Sequence, residues 1–145
     1  MPTAIHFALL LTVVLIVITT YFLLGGLPLL ILKHETPVDA SFIRSFFTWY
    51  YRVAIVAAIA AAIAYASADR WFFAIGTGAI AVIALRLRGK LLPAMDQMGA
   101  RIHTAGESVA VRHFRHLHVT ALTINFLQLV VLIWGVTRIA LPTAA

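Results

Sequence analysis

Residues 114–135, FRHLHVTALTINFLQLVVLIWG, decide the fold class of this chain. The stretch begins with arginine and histidine and continues as an apolar run that contains the amides of Asn125 and Gln128. Roughly 20 mostly apolar residues are enough for one bilayer-spanning helix. A basic segment that leads directly into such a helix predicts a helix end at a membrane surface.

The rest of the chain is similarly apolar, and its composition predicts a polytopic membrane protein. Of the 145 residues, 63% are hydrophobic, and the mean hydropathy is +1.01. In soluble domains only about half of the residues are apolar. We therefore expect an all-α integral membrane protein, folded as an antiparallel four-transmembrane-helix bundle. The chain has no cysteine, which excludes disulfides and thiolate metal sites.

Capping and turn signals divide the chain into four helices within one membrane domain, residues 1–145. The expected helices cover about residues 5–33, 37–68, 70–103 and 105–140, with extensions on the cytoplasmic side. Helix 2 should begin at Pro37, because Thr36 and Asp39 match the N-cap and N3 positions. Asp69 is the expected N-cap of helix 3. Residues 104–107 match a capping box and should start helix 4.

The sequence Gly25-Gly26-Leu27-Pro28 interrupts the first apolar run. A proline inside a helix removes one backbone hydrogen bond, so we expect a kink near residues 24–28. Small residues here let a neighbouring helix approach closely, whereas transporters use similar breaks to bind ligands. We favour the first interpretation.

The basic residues predict the orientation in the membrane. Nine of the eleven Lys and Arg residues fall in or beside the two long connections, between helices 1 and 2 and between helices 3 and 4. The other side holds only Arg70 and Arg138. By the positive-inside rule, both termini should be periplasmic and both long connections cytoplasmic, in a bacterial inner membrane. Because this topology accounts for the positive charge, the lipid bilayer is the expected partner and nucleic acid is not.

Several ionisable side chains near the cytoplasmic surface suggest a metal or haem site. Imidazole is a common metal ligand, and carboxylates complete such shells. The candidate metal ligands are His34, His113, His116, His118 and Asp96. The arginines around them would repel a cation, and His116 and His118 point to different sides of a helix. The alternative is a basic patch that faces anionic lipid headgroups.

Three polar residues of helix 4 are expected to face the bundle interior. Asn125 lies seven residues after His118, on nearly the same helix face, and Gln128 is about 80° away. Amides inside a bilayer need partners and usually face other helices. Two interpretations remain open: a structural hydrogen-bond network between helices, or a ligand pocket open to the cytoplasmic leaflet. The pocket would be lined by His118, Asn125, Gln128, Tyr50, Tyr51, Arg52 and Arg86.

Short motifs spread over the chain carry a resemblance to known families. They are Gly26-Leu27-Pro28, Phe47-x-x-Tyr50-Tyr51-Arg52, Arg86 followed by Pro93-x-Met95-Asp96, and Phe114-x-x-Leu117-His118 followed by Asn125-x-x-Gln128-Leu129. Together they resemble the uncharacterised four-helix membrane family of transmembrane-protein-205-like proteins and, more distantly, the anthrone-oxygenase-like proteins. The first resemblance implies a fold, and the second implies action on hydrophobic polycyclic phenols. Ala121 stands where related sequences often have serine.

Two kinds of function are consistent with these features. The favoured one is non-enzymatic. The protein would be a small bundle that binds a lipid-like ligand, a quinone or haem, or it would be an accessory subunit of a larger membrane complex. It could also assemble as a homo-oligomer. The alternative is a membrane oxidoreductase or oxygenase that acts on a hydrophobic aromatic compound. In that case His118 would be a metal ligand or a base and Asn125 would orient it. Supporting groups would be Asp96, His34 or His113.

Overall fold

Four long α-helices make up the part of the chain that the structure describes, and the prediction of an all-α fold is confirmed. The structure, a computed structural model, describes residues 2–29, 37–105 and 108–140. The helices are α1 (Pro2–Leu29), α2 (Pro37–Ser67), α3 (Trp71–Ala105) and α4 (Ser108–Ala140). In the part of the chain that the structure describes there is no strand.

All four helices are long and apolar enough to cross a membrane. The apolar spans are Thr3–Leu29, Ser41–Ser67, Trp71–Gln97 and Val111–Ile139, each of 27 to 29 residues. At 1.5 Å per residue, 27 residues reach about 40 Å, which exceeds a hydrocarbon core of about 30 Å. Large apolar side chains such as Val56 and Ile75 are about 70% exposed on the outside of the bundle. Such a surface suits lipid and indicates an integral membrane protein.

The helices are arranged so that α1 and α3 each pack between α2 and α4. The α2–α3 contact is the most extensive of the four. The inward face of α2 carries small buried side chains, which let neighbouring helices approach closely: Ala54, Ala57, Ala58 and Ala61. Within the described residues, no Cα atom of α2 comes within 8 Å of one in α4. Side chains must therefore fill the centre of the bundle between α2 and α4.

The turn between α2 and α3 differs from the prediction at Asp69. Asp69 has a φ of 57° and donates its backbone N–H to the Ala66 carbonyl, while Arg70 N–H reaches the Tyr65 carbonyl. These two bonds form a Schellman motif that ends α2, with Asp69 in the left-handed position that glycine usually takes. Arg70, whose carbonyl accepts the N–H groups of Phe73 and Ala74, is the N-cap of α3. The expected N-cap role of Asp69 is therefore wrong.

The described helices have bounds close to the expected ones, and the expected end of helix 1, residues 30–33, lies outside the described residues. Helix α2 begins at Pro37 as expected, although Thr36 lies outside the described residues. Helix α3 continues through Pro93 to Ala105 and includes Thr104, whereas Gly106 and Glu107 of the expected capping box lie outside the described residues. A proline removes only one intrahelical bond, and the buried neighbours Leu92 and Met95 hold this part of α3 against the core.

Gly25 and Gly26 bring α1 close to two neighbours at once. A Cβ atom on Gly25 would lie 2.9 Å from Cζ of Phe46 in α2. A Cβ atom on Gly26 would lie 2.6 Å from Cδ2 of Leu122 in α4. Real Cβ atoms do not approach other carbons this closely, so both positions need glycine for the observed packing. The small-residue interpretation of this segment accounts for the contacts, and α1 remains helical to Leu29.

Candidate functional site

The amide of Asn125 is the centre of a buried polar cluster. Its Oδ1 accepts a hydrogen bond from the Tyr50 hydroxyl at 2.6 Å. Its Nδ2 donates to the Tyr51 hydroxyl at 3.2 Å and to the Ala121 carbonyl at 2.7 Å. Both amide hydrogens are therefore used, and the side chain is fully buried. Because its hydrogen bonds are made, this buried amide stabilises the packing of α4 against Tyr50 and Tyr51.

Thr19 extends this cluster to α1. The hydroxyls of Thr19 and Tyr50 are 3.3 Å apart. Because Tyr50 donates its single hydrogen to Asn125, Thr19 must be the donor to Tyr50. We call Thr19, Tyr50, Tyr51 and Asn125 the Asn125 network. It joins α1, α2 and α4, and it bridges α2 and α4 although their described Cα atoms stay more than 8 Å apart.

Aromatic rings surround the network on the side of α1 and α2. The Phe22 ring stacks on Tyr50 with centroids 3.9 Å apart, and on Phe46 at 5.3 Å. Phe47 meets Phe22 edge-on at 4.9 Å. The α2 residues at positions 46, 47, 50 and 51 follow the helical spacing that places side chains on one face. This aromatic packing holds the Tyr50 ring in a fixed position.

The three polar residues of α4 that were expected to face inward are all buried. His118 is fully buried, and its ring packs edge-on against Phe47 at 5.1 Å. Its Nε2 lies beside α1, 3.8 Å from the Cβ position of Gly26. Gln128 is also buried, and among the described residues its Nε2 has no hydrogen-bond partner. His118 thus lies two helical turns from Asn125 on the same face.

The arginines of the predicted pocket lie elsewhere. Tyr50 and Tyr51 do meet Asn125, but Arg52 and Arg86 are exposed on the outside of the bundle. The Arg52 guanidinium lies over the Trp49 ring, 5.7 Å from its centroid. Long basic side chains reach towards the membrane surface in this way because their charge is costly in hydrocarbon.

The predicted metal ligands that the structure describes do not come together. The Asp96 carboxylate forms a two-point ion pair with Arg44, whose Nη2 is 3.0 Å from Oδ2. His113 and His116 are exposed, whereas His118 is buried. His34 lies outside the described residues. Among the residues described, no group of three or more His, Cys, Asp or Glu side chains is placed to hold a metal ion.

Three cavities open on the outside of the bundle. A cavity of about 110 Å³ reaches the hydroxyls of Thr12 and Tyr65, which are 2.9 Å apart. A cleft of about 370 Å³ lies between α2 and α3 beside Arg44 and Asp96. The third, which we call the α1–α2 groove, has a volume of about 350 Å³. It is lined by Val17, Ile18, Tyr21, Phe22, Phe46, Trp49, Tyr50 and Val53.

None of these three cavities is lined by His118. A haem group needs open space beside its ligand, but Phe47 and the close approach of Gly26 occupy the surroundings of His118. The residues around His118 therefore do not fit a haem in this conformation. Tyr50 is the one predicted pocket residue that also lines the α1–α2 groove.

Sequence reasoning missed the α1–α2 groove and the Arg44–Asp96 pair. The aromatic residues at positions 46–51 are also typical of a membrane-interface belt, and their packing against α1 depends on tertiary contacts that the sequence pattern does not show. Arg44 and Asp96 are 25 and 27 residues from Asp69, on either side of the turn. Counting outward from that turn would have placed the two at the same level.

No protein-family model, curated protein or solved structure matches the chain. The resemblance to the transmembrane-protein-205-like and anthrone-oxygenase-like families therefore rests on the short motifs alone.

Proposed function

We propose that this protein is a small polytopic membrane protein that binds a lipid-soluble aromatic ligand, of the quinone type, in the α1–α2 groove. One observation carries the proposal. The ring of Tyr50 lines the groove while its hydroxyl belongs to the Asn125 network. A bound ring would contact a side chain that α1 and α4 hold rigidly from behind.

The size and chemistry of the groove support this ligand class. Ligand sites usually measure about 300–1,000 Å³ and have mainly apolar and aromatic linings, and the groove has about 350 Å³. Phe22, Phe46 and Tyr50 present stacked rings on one side. Flat aromatic ligands gain from offset stacking on such rings. Tyr21 and Trp49 are exposed at the margin, so a ligand would enter from the bilayer.

The proposed topology is an antiparallel bundle with both termini periplasmic and the long connections cytoplasmic, in a bacterial inner membrane. The sequence in which residues of α1 meet residues of α2 supports the antiparallel arrangement. Along α1, Thr12 pairs with Tyr65 and Thr19 pairs with Tyr50, so positions rise in one helix as they fall in the other. The excess of basic residues in the long connections supports the orientation. Assembly with itself or with a larger membrane complex stays a prediction.

Oxidation of an aromatic substrate receives less support. Asp96 and His113, the groups expected to assist His118, are exposed, and Asp96 is engaged with Arg44. The binding proposal needs only the groove and the Asn125 network.

Ligand binding is tested by the fluorescence of Trp49, which lines the groove. Trp71 and Trp134, both exposed, are first replaced by phenylalanine so that Trp49 is the single tryptophan. A short-chain benzoquinone is then titrated in detergent. Saturable quenching of Trp49 is expected.

The matched variants are Val53→Phe and Val56→Phe. Both valines are exposed residues of α2, but only Val53 lines the groove. Val53→Phe should weaken quinone binding by about tenfold, or roughly 1.4 kcal/mol, while Val56→Phe should leave it unchanged. Equal affinities for the two variants, or quenching that does not saturate, would rule out a site in the groove.

A further inference from the structure

The cleft between α2 and α3 combines two guanidinium groups with an apolar edge. It has a volume of about 370 Å³ and lies at the end of α3's apolar stretch. We call it the α2–α3 cleft. Its lining residues are Arg44, Leu85, Arg88, Gly89, Leu92, Pro93 and Asp96.

Asp96 fixes the orientation of Arg44 and uses only part of its bonding capacity. Nε of Arg44 donates to Oδ1 of Asp96, and Nη2 donates to Oδ2 at 3.0 Å. A guanidinium carries five N–H donors. Three of the Arg44 donors thus have no partner among the described residues. The paired carboxylate holds these donors in a defined direction, which lowers the entropy cost of binding an anion.

Arg88 is the second cation of the cleft. It is half-buried and forms no hydrogen bond or ion pair with any described residue. Arg44, Arg88 and Asp96 together carry a net charge of +1. Planar guanidinium groups bind phosphate oxygens with good geometry, often through two parallel bonds. The charge and donors match a group with a single negative charge and several oxygen acceptors.

The depth of the cleft identifies the source of this group. The apolar stretch of α3 from Trp71 to Leu85 is about 22 Å long at 1.5 Å per residue, and Arg88 lies just beyond it. Arg88 lies about 26 Å from Trp71 along the helix, a few Å short of a hydrocarbon core of about 30 Å, so its long side chain reaches the level of the lipid headgroups. Leu85, three residues before Arg88 on the same side of α3, is 48% exposed towards the lipid region.

We propose that the α2–α3 cleft binds the phosphodiester headgroup of an anionic phospholipid such as phosphatidylglycerol. Arg44 and Arg88 bind the phosphate oxygens, Asp96 positions Arg44, and an acyl chain lies along Leu85. Gly89 leaves room for the headgroup, because a Cβ atom there would meet nothing within 4 Å. This site is separate from the α1–α2 groove, with which it shares no lining residue.

Native mass spectrometry in mild detergent tests the site. The intact protein is titrated with phosphatidylglycerol or with phosphatidylcholine of the same acyl chains. The wild type should bind phosphatidylglycerol about tenfold more tightly than phosphatidylcholine. Arg88→Gln should abolish this preference. Arg86→Gln, two residues away and outside the cleft, should keep it. Equal loss in both variants would mean that diffuse positive charge, and not the cleft, selects the lipid.

Gly89→Leu provides a second test that leaves the charge unchanged. The leucine would fill the cleft without meeting a neighbouring atom at Cβ, and leucine favours helix more than glycine does. The folded protein should therefore lose its preference for phosphatidylglycerol. Retention of the preference in folded Gly89→Leu would overturn the proposal. So would displacement of the lipid by excess inorganic phosphate, which would identify a free-phosphate site.

The Val53→Phe variant separates this inference from the proposed function. Because Val53 lines only the α1–α2 groove, the variant should lose quinone binding and keep its lipid preference. Loss of both properties in Val53→Phe would mean that the two sites are not independent.

Discussion

The hydroxyl of Tyr50 donates a 2.6 Å hydrogen bond to Oδ1 of Asn125. This bond joins α2 to α4, although the Cα atoms described for these two helices stay more than 8 Å apart. A phenol ring is long enough to cross the centre of the bundle, and its hydroxyl meets the amide there. The contact between diagonal helices thus depends on side chains.

Removing the two partners should show that they act as a pair. Tyr50→Phe and Asn125→Ala should each destabilise the protein by about 1–3 kcal/mol, because each change leaves a buried polar group without its hydrogen-bond partner. In a double-mutant cycle the coupling energy should lie between about 0.6 and about 1.7 kcal/mol, the average and the maximum measured for hydrogen bonds between membrane helices. Thermal unfolding in detergent gives the stability of the wild type, the two single variants and the double variant.

The matched control for the cycle pairs Tyr50→Phe with Thr123→Ala. Thr123 is an exposed residue of α4 whose hydroxyl bonds to the Val119 carbonyl in its own helix. Tyr50 and Thr123 should show additive effects. Additivity of Tyr50 with Asn125 as well would show that the hydrogen bond contributes nothing measurable.

The close approach of α1 and α4 predicts that Gly26 cannot be enlarged. A Cβ atom at Gly26 would overlap Leu122, whereas one at Gly78 would meet nothing within 4 Å. Gly26→Val should destabilise the protein by about 1–3 kcal/mol more than Gly78→Val, the usual cost of overpacking. Since both changes replace glycine by valine in a helix, propensity cancels. Equal unfolding temperatures would contradict the observed packing.

The Schellman motif predicts that Asp69 is a source of strain. Its φ of 57° is costly for a residue with a Cβ atom and free of cost for glycine. Asp69→Gly should raise the free energy of unfolding by up to about 1 kcal/mol, and Asp69→Ala should lower it. A lower free energy of unfolding for Asp69→Gly would contradict this prediction. It would mean that the Asp69 carboxylate stabilises the turn by more than the backbone conformation costs.

The absence of cysteine makes the orientation directly testable. Asp69→Cys and Gln97→Cys place single thiols at exposed positions near opposite ends of α3. With periplasmic termini, a membrane-impermeant maleimide should label position 69 in intact spheroplasts and position 97 only after lysis. The reverse pattern would invert the proposed topology.

The helices were predictable because each depends on residues close together in sequence. A run of apolar side chains is enough to specify a span, and Thr36, Pro37 and Asp39 together specify a helix start. The burial of His118, Asn125 and Gln128 was predictable for a related reason. A polar side chain within a span is costly against lipid and usually faces the bundle interior.

What escaped prediction depends on how the helices pack. Tyr50 was recognised as a pocket residue, but the groove that it lines forms only when α1 lies against α2. The sequence pattern places Arg52 and Arg86 in the predicted pocket, yet their charges favour the membrane surface. Asp69 has a side chain suited to an N-cap, and only the backbone φ reveals that it ends α2.

The position of Asn125 also sets the vertical register of α4. A helix with a uniform apolar surface can slide along its neighbours at little cost, because each step replaces one apolar contact by another. Sliding α4 by one turn, about 5.4 Å, would carry the amide away from both tyrosines. It would then lose its two hydrogen bonds to α2 within a medium that offers no replacement. A single amide thereby converts a helix that could dock at several heights into one that docks at one.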